Sequence, residues 1–192
     1  FSIRKNTYTV ECCKFGFMKT LLSLLFSFAF LFANCQDSFQ FSNVVQVDST
    51  ASADELYARA KIWIAKTFKS ANAVIQVTDK EEGVIVGKGN MRYSTSVYSG
   101  SASVKGWIGY TLKVFIKDGR YKYVITDFIH EGSGISFGLV TTDSVYGGGV
   151  KPKKWAQNQW EEIKYTIRTT AYTLIASLET AMNKSVSGDD DW

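Results

Sequence analysis

Asp118-Gly119 stands between two alternating apolar runs, Val104 to Lys117 and Arg120 to His130. An Asp-Gly pair in that setting predicts a two-residue β-hairpin, because both central positions of the favoured turn take positive φ. The turn then fixes the pairing: Lys117 faces Arg120, Ile116 faces Tyr121, and so on to Trp107 opposite His130. With side chains alternating along each strand, both faces can be read out. One carries Ile108, Tyr110, Leu112, Val114 and Ile116 against Tyr121, Tyr123, Ile125 and Ile129, and is the expected core side. The other carries Trp107, Gly109, Thr111, Lys113 and Phe115 against Lys122, Val124, Thr126, Phe128 and His130.

The rest of the pattern extends this sheet. Phe39 to Val47 alternates as a first strand. Ser52 with Glu55 has the spacing of a capping box, and Leu56, Ala60, Trp63, Ile64 and Phe68 then recur at helical spacing, with Arg59, Lys66 and Lys69 largely on the other side. Strands follow at Val74 to Val77 and from Val84 to about Tyr98. A turn at Ser99-Gly100 would set Arg92 opposite Trp107, place Val84, Val86, Lys88 and Asn90 on the mixed face, and turn Gly87 and Gly89 towards the core, where a helix could approach closely. Residues 132–154 hold six glycines and the sole proline, and read as a mobile surface loop. Trp160, Ile163, Ile167, Ala171, Leu174, Leu178 and Met182 then form the stripe of a long last helix.

Met18 to Cys35 has a lysine next to its methionine and an apolar stretch from Leu21 to Ala33, the pattern of a secretory signal peptide. The stretch falls short of the roughly 20 residues a membrane-spanning helix needs, and no later one approaches it. Residues 1–17 read as unstructured upstream sequence. The organisation expected is 18–35 signal, 36–184 one domain, and 185–192 an acidic tail. Ala33, Asn34 and Cys35 fit cleavage before Gln36, and lipidation of Cys35 is the alternative. Four of the 22 basic residues and one of the 18 acidic residues fall within 1–35, so the remainder carries 18 of one and 17 of the other, and the formal charge of +4 shrinks to +1. All three cysteines leave with the same segment, which removes disulfides, thiolate catalysis and Cys-ligated zinc.

The ordered blocks DELYARAKIWI (Asp54 to Ile64) with its F-K-S ending, EEGVIVGKGN (Glu81 to Asn90), YTLKVFIKDGRYKYVITDF (Tyr110 to Phe128) and a late Trp-containing helix resemble a bacterial domain of unknown function with a TATA-binding-protein-like (TBP-like) fold. The resemblance spans about residues 39–182. It implies an exported α+β protein of β-α-β-β-β-β-α topology, an antiparallel sheet with two helices on one face, and no assigned activity or site residues. The fold name describes shape and does not imply DNA binding.

Catalytic patterns find little support. His130 is the only histidine. On the predicted register Asp127 points away from it, and no G-x-S-x-G occurs; a structural histidine packed beside Trp107 is expected. GSGISFG (Gly132 to Gly138) follows a strand but opens no helix, and there is no phosphate-binding G-K-[ST]. Glu81 and Glu82 sit in a turn and Asp189 to Asp191 in the tail, without the spaced oxygens of a calcium loop. Lys151, Lys153 and Lys154 precede a helix, where the dipole disfavours cations. Trp63, Trp155 and Trp160 read as packing residues. No metal or cofactor is expected.

What remains is the uncovered sheet face, with Lys88, Asn90, Arg92, Trp107, Thr111, Phe115, Lys122, Phe128 and His130. Aromatics among hydrogen-bond donors suit a protein, peptide or glycan contact. A cover of loop, N-terminal segment or second subunit is the alternative for this face. The function expected is a non-catalytic exported module, periplasmic or extracellular, with outer-membrane anchoring as the lipidated variant. A metal-free hydrolase built on carboxylates or serine is the alternative. Nucleic-acid binding follows only from the fold name, and near-neutral charge and export oppose it.

Overall fold

The structure is a computed structural model and describes residues 38–48, 50–68, 74–95 and 101–184. The signal-like segment with Cys35, residue Lys69, the Ser99-Gly100 turn and the acidic tail lie outside the described residues. The elements run β1 (Phe41–Gln46), α1 (Ala53–Thr67), β2 (Ile75–Asp79), β3 (Val84–Tyr93), the single turn α2 (Ser101–Val104), β4 (Gly106–Lys117), β5 (Arg120–Gly132), β6 (Gly138–Leu139) and α3 (Lys153–Met182). The strands make one antiparallel sheet in the order β1-β5-β4-β3-β2, and β6 extends it beside β5. This is the expected α+β architecture with α2 and β6 added.

α1 and α3 pack on one face of the sheet and on each other, because each presents one apolar stripe that only a partner layer can bury. Leu56, Ala60, Trp63 and Ile64 from α1 meet Trp160, Ile163, Ile167, Ala171, Leu178 and Met182 from α3 and the apolar face of β4 in a continuous core. Trp63 Nε1 donates to Ser177 Oγ at 3.0 Å and Trp160 Nε1 to the Asp143 carbonyl at 3.0 Å, so these two indoles each have a polar outlet. Ser52 Oγ accepts from the Glu55 N–H at 3.2 Å, as the capping pattern predicts. The Glu55 carboxylate, however, turns to Arg59. Arg59 is buried, against expectation, since it lies between the Leu56 and Trp63 turns of the helix, and its guanidinium donates to the Met182 carbonyl at the end of α3.

The β4–β5 hairpin has the two-residue turn at Asp118-Gly119, but only Gly119 takes positive φ, at 67°. Asp118 keeps negative φ while its carboxylate accepts the Ala53 N–H at the start of α1, at 2.7 Å. β3 and β4 pair with Arg92 opposite Trp107 as expected, although β3 stops at Tyr93 and the connection includes α2. Gly89 faces the core for a different reason from the one expected: a Cβ there would lie 2.3 Å from the Tyr110 ring, so the glycine makes room for a cross-strand tyrosine and not for a helix. Gly87 likewise meets Val74.

Residues 132–154 are less open than their composition predicts. Phe137 and Val140 are buried in the core, and Tyr146 packs between Phe137 and Trp160, with ring centroids 4.7 and 5.3 Å away. Gln157 accepts the Tyr146 N–H at 2.8 Å and donates to the Ser144 carbonyl, which fixes the segment to the start of α3.

Candidate functional site

The geometry of the sheet face opposite α1 and α3 turns on one extra residue in β5. Lys117 to Thr111 pair with Arg120 to Thr126 in the predicted register, but Gly109 then pairs with Ile129 in place of Phe128. Asp127 and Phe128 together stand opposite Tyr110, a β-bulge. Asp127 has φ of 56° and is the sole non-glycine residue with positive φ among the described residues. Aspartate is among the few side chains that tolerate this region.

Past the bulge the two faces of β5 exchange. Phe128 and His130, expected on the open face, are fully buried beneath the sheet. Phe128 packs edge-on against Phe39 and Phe41 at 6.1 and 6.0 Å. His130 stacks edge-on against Tyr93 at 5.0 Å, not against Trp107. Its Nε2 lies 3.0 Å from the Val104 carbonyl and its Nδ1 accepts the Phe137 N–H at 3.1 Å. This fixes the neutral tautomer with the proton on Nε2. Burial pushes the His130 pKa below its ordinary value, against smaller opposing effects of the Val104 bond and Glu131. Conversely Ile129, expected in the core, is 42% exposed on the open face with Leu139 beside it.

The result is a shallow hollow of about 390 Å³, lined by Lys88, Asn90, Trp107, Thr111, Asp127, Ile129 and Glu131 around Gly109. Gly109 is its floor: a Cβ there would lie 3.3 Å from Asn90 Oδ1 and 3.9 Å from the Ile129 carbonyl. Trp107 is 54% exposed at one end, flanked by Arg92 on β3 and Glu131 on β5 in one cross-strand row. Among the described residues no ion pair engages Lys88, Arg92, Asp127 or Glu131. Charges of both signs therefore meet in and beside the hollow without being spent on each other.

Of the expected face, Lys88, Asn90, Trp107 and Thr111 meet in the hollow and Arg92 stands at its rim. Phe115 and Lys122 share the face but pair with each other nearer the Asp118-Gly119 turn. Asp127, Ile129 and Glu131 were not foreseen; an aspartate inside an otherwise β-forming run was their one sequence signal. The described residues hold no cluster of three or more His, Cys, Asp or Glu side chains able to bind a metal, and no helix among them is long and apolar enough to cross a membrane.

No curated protein matches this sequence. Two solved structures share the fold at 16% identity each. A TBP-like protein from Parabacteroides distasonis ATCC 8503 aligns with TM-score 0.50 over 77% of this chain and 94% of its own. A DUF4468 family protein from Bacteroides ovatus ATCC 8483 aligns with TM-score 0.51 over 77% of this chain and 87% of its own. Both are described by fold or family, and at this identity they speak to architecture alone. The family model for the domain of unknown function with TBP-like fold matches residues 41–131, from the first residue of β1 to the penultimate residue of β5, and so includes the bulge and every residue that lines the hollow. Over that span the chain is similar to the DUF4468 domain of unknown function with TBP-like fold.

Proposed function

We propose that the protein is an exported, non-catalytic binding module that engages its ligand through the uncovered sheet face. The observation that carries this reading is the hollow around Gly109. It combines an exposed tryptophan with charges that make no ion pair among the described residues and with amide and hydroxyl groups, on the side of the sheet opposite both long helices. An exposed tryptophan beside convergent polar groups is the composition of recognition surfaces. Export rests on the Met18 to Cys35 pattern, and the mass of the native N-terminus tests it, Gln36 marking simple cleavage and a modified Cys35 marking an anchor.

The test of the face uses Trp107→Ser with Ile129→Ser, both at exposed positions. Ligand capture from the native extracellular or periplasmic fraction should fall at least about tenfold while the circular dichroism spectrum and melting point hold. Capture that is unchanged removes the face from consideration. A metal-free hydrolase is the second reading, supported by the presence of Asp127 and Glu131 in one hollow. Turnover of a chromogenic glycoside or ester that disappears in Asp127→Asn would establish it in place of simple binding.

A further inference from the structure

We propose that the ligand of the hollow is a neutral glycan, held as a single pyranose ring over Trp107; this rests on the open-face reading above. Three features of the site select that chemistry.

The first is charge. Lys88 lies in the lining with Asp127 and Glu131, and Arg92 and Lys113 stand beside it on the same face, so both signs meet at the site and neither dominates it. It does offer both strong donors and strong acceptors at short range. Groups of both kinds, mutually unpaired, suit vicinal hydroxyls, each of which donates once and accepts twice.

The second is the balance of apolar and polar surface. Trp107 and Ile129 are the exposed apolar side chains of the lining, Tyr110 being buried, and the hollow is open, so it lacks the enclosure that an apolar ligand needs. A sugar ring is amphipathic in the matching way: its C–H face covers an indole while its edge hydroxyls reach outward. A peptide is a poorer fit. β4 and the upper part of β5 are paired along both sides, so the floor offers an added strand no free ladder, and recognition falls to side chains.

The third is the bulge. It holds Asp127 in a left-handed conformation that costs roughly 1 kcal/mol or more, and it brings Asp127, Ile129 and Glu131 to the open face. A conformational cost that places a carboxylate in a hollow is expected where that carboxylate binds something.

Saturation-transfer NMR on the full chain tests this, with maltose, cellobiose, mannobiose and N,N'-diacetylchitobiose as probes, and tetramethylammonium and a neutral hexapeptide as the competing chemistries. Transfer to the ring C–H protons of at least one sugar is expected. That signal should fall at least about tenfold in Trp107→Ala and in Asp127→Asn. Gly109→Val, whose side chain would occupy the floor at a position of ordinary φ, should also abolish it; circular dichroism on each variant checks folding. No transfer to any of the sugars overturns the proposal, as does a sugar signal that Trp107→Ala leaves intact. If the sugars fail while native ligand capture still depends on Trp107 and Ile129, the glycan assignment is wrong and the face remains the site. If capture does not depend on them, the face itself is wrong.

Discussion

The backbone N–H of Phe137 donates to Nδ1 of His130 across 3.1 Å, while Nε2 of the same ring stands 3.0 Å from the Val104 carbonyl. One buried imidazole thus ties the 132–154 segment, through β5, to the end of α2. The arrangement needs the neutral ring, because a proton on Nδ1 would confront the Phe137 N–H with a second donor. Tyr93 from β3 and Phe137 from the loop face the ring, and Glu131 is the charged neighbour on its own strand. On α3, Glu162 and Gln159 are engaged by the Tyr93 hydroxyl on its far side.

Because burial lowers the folded-state pKa of His130, the unfolded chain takes up its proton more readily. The stability this group contributes is complete above pH 6.5, its unfolded value, and is lost as pH falls from there through the depressed folded value. Urea denaturation across pH 7.5 to 4.5 should show a fall that His130→Gln lacks, the glutamine variant being less stable at neutral pH. Equal pH profiles for the two proteins would contradict the latch.

Asp127 sits where a side chain is strained and glycine is not. Asp127→Gly is expected to leave the fold intact and stability within about 1 kcal/mol of the parent, whereas Asp127→Val should cost about 1–3 kcal/mol. Deleting residue 127 removes the extra residue and leaves Phe128 opposite Tyr110, with Ile129 and His130 still opposite Gly109 and Ile108, so Phe128 and His130 should stay in the core and the cost should not exceed about 1–3 kcal/mol. Thermal melts of the three variants rank them.

Gly89 and Tyr110 are directly opposed, and the ring lies where a Cβ at position 89 would go. The ring is largely withdrawn from water, and burial pushes the Tyr110 phenol up to about 12. Gly89→Ala should therefore destabilise by roughly 1–3 kcal/mol as an overpacking change. Combined with Tyr110→Leu the two costs should add to less than their sum, a coupling of at least about 0.5 kcal/mol by double-mutant cycle. Simple additivity would show that the ring does not occupy that space.

Arg59 joins the first turns of α1 to the last residue of α3 through Glu55 and the Met182 carbonyl. Arg59→Ala removes the bridge and leaves Met182 without that donor, so a loss of about 2–4 kcal/mol is expected. Arg59→Lys should recover only part, because an ammonium cannot reproduce the fork. Hydrogen exchange at the end of α3 should rise in parallel.

Periodicity made most of the architecture readable. Period-2 alternation assigned Ile108 to Ile116 to the core, and helical spacing assigned Trp160 to Met182 to it as well. The Asp118-Gly119 turn set the register correctly as far as Thr126. It then failed, because a bulge is decided by what the extra residue must satisfy in three dimensions, and a strand containing one still alternates on both sides of it. That single slip took Phe128 and His130 out of the site and hid Ile129 and Glu131. The 132–154 segment was misjudged differently: its glycines suggested openness, while Ile135, Phe137 and Val140, spread among them, carried the burial. Arg59 was misassigned because charge was weighed above its place on the helix, one turn from both Leu56 and Trp63.

The Asp118 carboxylate that accepts the Ala53 N–H lies 65 positions further along the chain. Gly119 adds a second link, donating to the Ala51 carbonyl at 2.9 Å, and accepts from the Val47 N–H at 2.9 Å. On the ribosome α1 therefore emerges well before the tip that completes its first turn, with only Ser52 to hold its leading end. Its final anchoring waits for the β4–β5 hairpin to close, so a short local turn sets the moment at which a distant helix becomes fully fixed.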